Sequence, residues 1–217
     1  MLANLALLFL AIAGASTAAP YEAESSKKLP PCTIEDRRCR CPPGSTFKNF
    51  TSFGIVGAPA IEVQKIMGPF LNIEFQGGLI PASVSGKEGK PGASRTFHFT
   101  NNVGSYDITE VLTKFEAFPD GSFAQTYQQA PKPQSVSIPG QGTYWGNWIV
   151  IKGQQTLIAN ETVVAWRNWR CDQGETFPAA TSHEGGIANT SAILTKAGKK
   201  TGVDVAPFTI FYEVRND

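Results

Sequence analysis

The sequence is short of charge. Only 17% of its 217 residues are Asp, Glu, Lys or Arg, and the formal net charge is +1. Without a basic surplus there is no electrostatic footprint for nucleic acid. Histidine is nearly missing: His98 and His183 are the two in the chain. Neither has a serine or cysteine nucleophile motif beside it, and G-x-S-x-G does not occur, which excludes the nucleophile-elbow hydrolases. The Cys and His spacings match no metal motif, so neither a metal nor a cofactor is expected. GQGTYWG at 140–146 is glycine-rich but lacks the Lys and the following helix of a phosphate loop. It reads as a turn entering a strand. After residue 19 no apolar run of membrane length follows, so stable membrane insertion is not expected.

The one long apolar run is residues 1–19, which end in small residues. Ala13-Gly14-Ala15 and Ser16-Thr17-Ala18 both satisfy a small-x-small cleavage pattern, and the run reads as a secretory signal peptide cut near Ala15 to Ala19. An uncleaved anchor is the rival reading. Residues 20–45 are polar and proline-rich and predict a flexible, Cys-containing arm. Three N-x-S/T sequons, at Asn49, Asn160 and Asn189, fit an exported, extracellular glycoprotein, with Asn160 the best placed between two strand-like runs. Cys32, Cys39, Cys41 and Cys171 then imply two disulfides. Cys39 and Cys41 are too close to pair comfortably, so one N-terminal cysteine reaches Cys171; which one stays open.

The 21 Gly, 15 Pro and 14 Phe favour a turn-rich β or α+β domain over a helical bundle. Alternation predicts a first strand over 46–57. A helix follows, with Pro59 in its first turn and Ile61, Val63, Ile66 and Met67 on its apolar face; Gly68-Pro69 ends it. A short helix or turn is expected around 70–75, and a Pro-interrupted edge strand over 77–85. From Gly92 to Cys171 the chain is a series of short β-rich runs, most of them separated by Gly, Pro, Asn or Asp. That is the punctuation of an antiparallel meander. Its second half holds Trp145, Trp148, Trp166 and Trp169. A curved sheet so rich in aromatics suggests the wall of an apolar cavity.

Five stretches carry a resemblance: A-P then V-x-x-I-M (58–67), G-A-x-R-T-F (92–97), I-T-E-x-L-x-x-F (108–115), Y-x-G-x-W (144–148) and V-x-W (164–166). In this order they resemble the Bet v 1-like, START-like or polyketide cyclase/dehydrase-like superfamily, which includes pollen allergens, abscisic acid receptors and bacterial cyclases. The resemblance covers about residues 46–171. It implies an α+β fold: a curved antiparallel β-sheet wrapped around a C-terminal helix (helix-grip), with an internal hydrophobic cavity, spanning 46–217. The C-terminal part departs from the family pattern. Thr181 to Glu184 reads as a capping box, with Ile187, Ser191, Leu194 and Ala197 as the buried stripe, Ile193 alongside, and Gly198 as C-cap. Gly185 and Gly186 each weaken that helix by roughly 1 kcal/mol relative to Ala. VDVAPFTIFYEV is strand-like and forms an atypical extension (199–217) expected to cover a sheet edge or a pocket mouth.

Alternation puts Arg95, Phe97 and Phe99 on one face, opposite Thr96 and His98, and puts Tyr106, Ile108, Glu110 and Leu112 on one face of the next strand. The resemblance places Glu110 where abscisic acid receptors have a pocket-facing glutamate, and Tyr144 and Trp166 at further inward positions. The expected ligand-binding set is Arg95, Phe97, Phe99, Ile108, Glu110, Leu112, Tyr144, Trp148 and Trp166. For the aromatics, ordinary core packing is the alternative. A carboxylate among apolar neighbours needs a partner, and Arg95 on the adjacent strand is the natural one; the pair either orients a ligand or fixes strand register. His98 reads as a surface residue, and His183 as a capping or solvent-exposed one. The expected function is a secreted protein that binds a hydrophobic small molecule, such as a lipid, sterol or polyketide-like compound. The alternatives are a metal-independent cyclase, isomerase or dehydratase with Glu110 as general acid or base and Tyr144 assisting, or an effector- or allergen-like interaction protein whose cavity is filled by its own side chains.

Overall fold

The computed structural model describes residues 41–129 and 136–212. The expected signal peptide, Cys32 and Cys39 lie outside the described residues. The elements run β1 Thr46–Val56, α1 Ala60–Met67, a 3-10 turn Glu74–Gln76, β2 Ser83–Ser85, β3 Ser94–Thr100, β4 Ser105–Ala117, β5 Phe123–Gln129, β6 Val136–Ser137, β7 Thr143–Gln155, β8 Thr162–Gln173, α2 Ala179–Lys196 and β9 Val205–Phe211. One antiparallel sheet carries the order β2-β3-β4-β5-β7-β8-β1-β9, with β6 paired to β7. The sheet does not close on itself. Its concave face holds α2, and the main core lies between them, built on Phe75, Phe97, Leu112, Ile151, Trp166 and Ile187.

Helix and sheet meet closely because two glycines permit it. A Cβ at Gly54 of β1 would lie 2.8 Å from the Ile187 side chain, and one at Gly186 of α2 would lie 2.8 Å from the Trp166 indole. Gly186 therefore weakens the helix locally and lets it settle on the sheet.

Several expectations need correction. Pro59 precedes α1 rather than opening it, and Ile61 is exposed while Ala60, Val63 and Met67 are buried. Thr181-to-Glu184 caps nothing: α2 already starts at Ala179 behind Pro178, with no side-chain cap. The backbone there is fixed from outside instead, by Arg170 Nη2 donating to the Phe177 carbonyl at 2.8 Å. Ile187, Ser191 and Leu194 are buried, but Ala197 ends the helix in solvent. Gly198 follows with φ +66°, the left-handed residue that closes a helix C-terminus. The C-terminal strand does cover an edge: β9 pairs with β1.

Cys41 bridges to Cys171, with 5.5 Å between the Cα atoms. This fixes the start of the described chain to β8, on the convex face of the sheet.

Candidate ligand cavity

Arg95 and Glu110 stand directly opposite each other in the β3–β4 register. Arg95 Nε and Nη2 reach Glu110 Oε2 at 2.8 and 2.7 Å. Nη1 donates to the Phe70 carbonyl. The guanidinium also lies over the rings of Phe70 (4.3 Å), Tyr127 (4.9 Å) and Phe97 (5.4 Å). Arg95 is 2% and Glu110 8% exposed. Such burial is tolerable because both ions are paired and the guanidinium is further hydrogen-bonded and stacked.

Glu110 forms part of the floor of a cavity of about 60 Å³. Alternation along four strands brings the rest of the floor together: Ile108 beside Glu110, Tyr127 from β5, Tyr144, Asn147 and Ile149 from β7, and Trp166, Asn168 and Arg170 from β8. The roof is Phe177, Ala179, Ser182 and His183, the entry into α2 and its first turns.

The lining is more polar than an apolar cavity predicts. Asn168 Nδ2 donates to Asn147 Oδ1 at 2.7 Å. Arg170 pairs with Asp172 (Nε to Oδ1 2.9 Å) and also holds Thr176 Oγ1 at 2.9 Å. Burial, reinforced by the Glu110 charge, pushes the phenols of Tyr127 and Tyr144 well above the ordinary tyrosine range. Burial holds His183 down to about 3, so its imidazole is neutral. Several buried polar atoms of the described residues lack a hydrogen-bond partner, and Asn168 Oδ1, His183 Nδ1 and Trp166 Nε1 among them belong to residues that line this cavity. A buried polar atom left unpaired is costly, and their gathering at one cavity marks a place where a ligand or water belongs.

Of the nine residues expected to bind ligand, Ile108, Glu110, Tyr144 and Trp166 line the cavity. Arg95 stands behind Glu110. Phe97 and Leu112 are packed in the main core. Phe99 is half-buried and stacks on Tyr106 at 5.3 Å. Trp148 is a correction: the register shifts between Trp145 and Trp148. That bulge turns Trp148 to the convex face, opposite Trp169, in a cluster with Val150, Phe47 and the Cys41–Cys171 bridge. His98 is on the surface, paired with Asp107 at 2.7 Å. His183 is a second correction, 4% exposed rather than solvated, because α2 lays its first turns on Trp166. The sequence reading missed Arg170 and Asn168, although both share the face of Trp166 at two-residue spacing.

The sequons differ. Asn49 is 8% exposed within paired β1 and accepts a hydrogen bond from Arg167 Nε, so a glycan does not fit there. Asn189 Nδ2 donates to the Phe75 carbonyl at 3.0 Å. Asn160 is half-buried beside a turn, its Nδ2 donating to the Thr201 carbonyl.

A curved sheet gripping a helix, with a polar cavity between them, defines a ligand-binding scaffold. The START domain model matches residues 47–217, and the chain belongs to the START domain family. Solved structures similar to it include an uncharacterized protein from Bacillus thuringiensis (18% identity, 68% of this chain and 98% of that one, TM-score 0.44). Others are an uncharacterized protein from Rhizobium leguminosarum (12%, 70% and 98%, TM-score 0.46) and XoxI from Bacillus cereus (17%, 69% and 97%, TM-score 0.45). No curated protein matches the chain in sequence. Among the described residues no helix is long and apolar enough to cross a membrane.

Proposed function

We propose that the protein is a secreted, disulfide-bridged carrier that holds a small organic molecule by one compact hydrogen-bonding group. The observation that carries this reading is the pair of orphaned buried atoms, Asn168 Oδ1 and His183 Nδ1, lining a cavity that also contains the Glu110 carboxylate. A hydroxyl or amide of the ligand satisfies them. Glu110, held by Arg95, and Tyr144 select its polarity. The cavity of about 60 Å³ admits only such a group, whereas drug-sized ligands fill roughly 300–1,000 Å³. An apolar remainder, such as a sterol or polyketide-like body, takes its place when the segment from Phe177 to His183 lifts from the sheet. Secretion is supported by the apolar leader and by the Cys41–Cys171 bridge, since disulfides persist in oxidising compartments. A catalytic role for Glu110 is less favoured, because Arg95 Nε and Nη2 already bind its Oε2.

Native mass spectrometry of the secreted protein, followed by organic extraction, tests the reading. A discrete extra mass that leaves on denaturation is expected, together with weaker retention in Glu110→Gln and Tyr144→Phe. A clean mass, with no tryptophan fluorescence response to phenolic, sterol or acyl probes, overturns it.

A further inference from the structure

We infer that the ligand group this cavity takes is a primary carboxamide, a neutral head with two N–H donors beside one carbonyl; the inference rests on the carrier reading and narrows it. It follows from which polar atoms of the lining are committed and which are free. Arg95 is committed to Glu110 and the Phe70 carbonyl. Arg170 is committed to Asp172, Thr176 Oγ1 and the Phe177 carbonyl. Neither guanidinium is left to hold an acid.

Among the described residues, the buried lining atoms without a hydrogen-bond partner are Asn168 Oδ1, His183 Nδ1 and Trp166 Nε1. Asn168 turns its Nδ2 to Asn147, which leaves Oδ1 as a bare acceptor. The His183 ring is neutral and interacts with the Trp166 backbone carbonyl. A carbonyl accepts, so the ring proton sits on Nε2 and the unpartnered Nδ1 is a second acceptor. Trp166 Nε1 can only donate; its nearness to the Tyr127 hydroxyl offsets a little of the rise in that phenol's pKa. The three residues are neighbours. His183 lies flat on Trp166, with 4.1 Å between ring centroids, and Asn168 is the next residue on the same face of β8.

Two acceptors and one donor are met by two N–H groups and one C=O. A carboxylate brings no donor and adds a second negative charge beside Glu110. A ketone or ester meets Trp166 Nε1 and leaves both acceptors bare. A hydroxyl has one proton for two acceptors. An ammonium has no acceptor for Trp166 Nε1 and brings a charge whose desolvation is costly. A primary carboxamide supplies all of these bonds without charge and removes the penalty on each buried atom. The space of about 60 Å³ holds such a head. Lifting of the roof joins it to a groove of about 610 Å³ that shares Arg170, Phe177 and Ala179 with it and adds Phe50 and Phe211. That groove gives room to an apolar body behind the amide.

Chemical-shift titration of the isotope-labelled full chain, its disulfide intact, tests this with benzamide, acetophenone, benzoate and benzyl alcohol. These probes share one ring and differ in the head. Benzamide should bind at least about tenfold more tightly than each of the others, and should shift the Asn168 side-chain amide and the His183 ring nitrogens. His183→Phe keeps a ring on Trp166 and removes Nδ1; the preference for benzamide over acetophenone should fall by about fivefold. The wild-type series stands without any variant. Equal binding of benzamide and acetophenone, or tighter binding of benzoate or benzyl alcohol, overturns the inference and leaves the carrier reading standing. An extracted native ligand that lacks a primary amide does the same. Failure of every probe to bind, together with a clean native mass, overturns both and assigns the cavity to water.

Discussion

The imidazole of His183 lies flat on the Trp166 indole, with ring centroids 4.1 Å apart and planes 8° from parallel. This contact joins α2 to β8 and the roof of the cavity to its floor. It also makes the fold sensitive to acid. Folded His183 stays neutral down to about 3, chiefly through burial and further through the nearby Arg170 charge. In the unfolded chain a histidine titrates near 6.5.

The sign follows directly. Between about 6.5 and 3 the unfolded state binds a proton that the native state refuses, so stability falls as pH drops through that window. The slope approaches ~1.4 kcal/mol per pH unit. Above about 6.5 the contribution is flat. Urea midpoints measured between about pH 7 and 5 should decline in the wild type and decline less in His183→Gln. Equal slopes would show that the imidazole is not sequestered.

Gly185 and Gly186 are neighbours with opposite expectations. Nothing lies within 4 Å of a Cβ added at Gly185, whereas one at Gly186 meets Trp166 at 2.8 Å. Gly185→Ala should stabilise by about 0.5–1 kcal/mol through helix propensity alone. Gly186→Ala gains the same propensity but overpacks the helix–sheet contact, at a cost of roughly 1–3 kcal/mol. Thermal melts of the two variants should move in opposite directions.

That adjacency shows what the sequence makes legible. Alternation in β3 and β4 was readable because the inward residues there, from Arg95 to Leu112, keep strict two-residue spacing next to the cavity. It failed in β7, where a bulge that no single residue type announces reverses the facing of Trp148. The helix stripe of Ile187, Ser191 and Leu194 was legible from its spacing. Extending it back four residues from Ile187 reaches His183, but the capping motif at Thr181 competed for that position. Helix entry is set instead by Arg170, a tertiary contact from another element. The polar character of the cavity was hidden for a similar reason. Asn147, Asn168 and Arg170 are ordinary strand residues until the register places them side by side.

The Cys41–Cys171 bridge closes a loop of large sequence separation, 130 residues. It constrains the unfolded chain while sitting in a packed convex cluster with Phe47 and Trp169. Reduction, or Cys171→Ser, should lower unfolding stability by about 2–4 kcal/mol, read as a shifted urea midpoint. Addition of reductant to Cys171→Ser should then leave this component of stability unchanged. A wild-type midpoint indifferent to reductant would mean that the bridge contributes no constraint.

Arg95 and Glu110 give the sharpest mutational contrast, because their costs should not add. Arg95→Met strips Glu110 of its only salt-bridge partner among the described residues and leaves a carboxylate at 8% exposure. The expected loss is about 3–5 kcal/mol. Glu110→Gln is milder: Arg95 keeps the Phe70 carbonyl and its three aromatic faces, and a neutral amide remains to meet it. The double variant Arg95→Met/Glu110→Leu removes both ions and fills their space with apolar groups. It should recover most of the stability lost in Arg95→Met while still failing to retain ligand. A double-mutant cycle on urea stability, closed by the single variant Glu110→Leu and run beside ligand retention, separates the two roles. If the double variant is as unstable as the sum of its parts, the pair is not the coupled unit its geometry indicates. If it retains ligand at wild-type strength, the pair serves strand register alone.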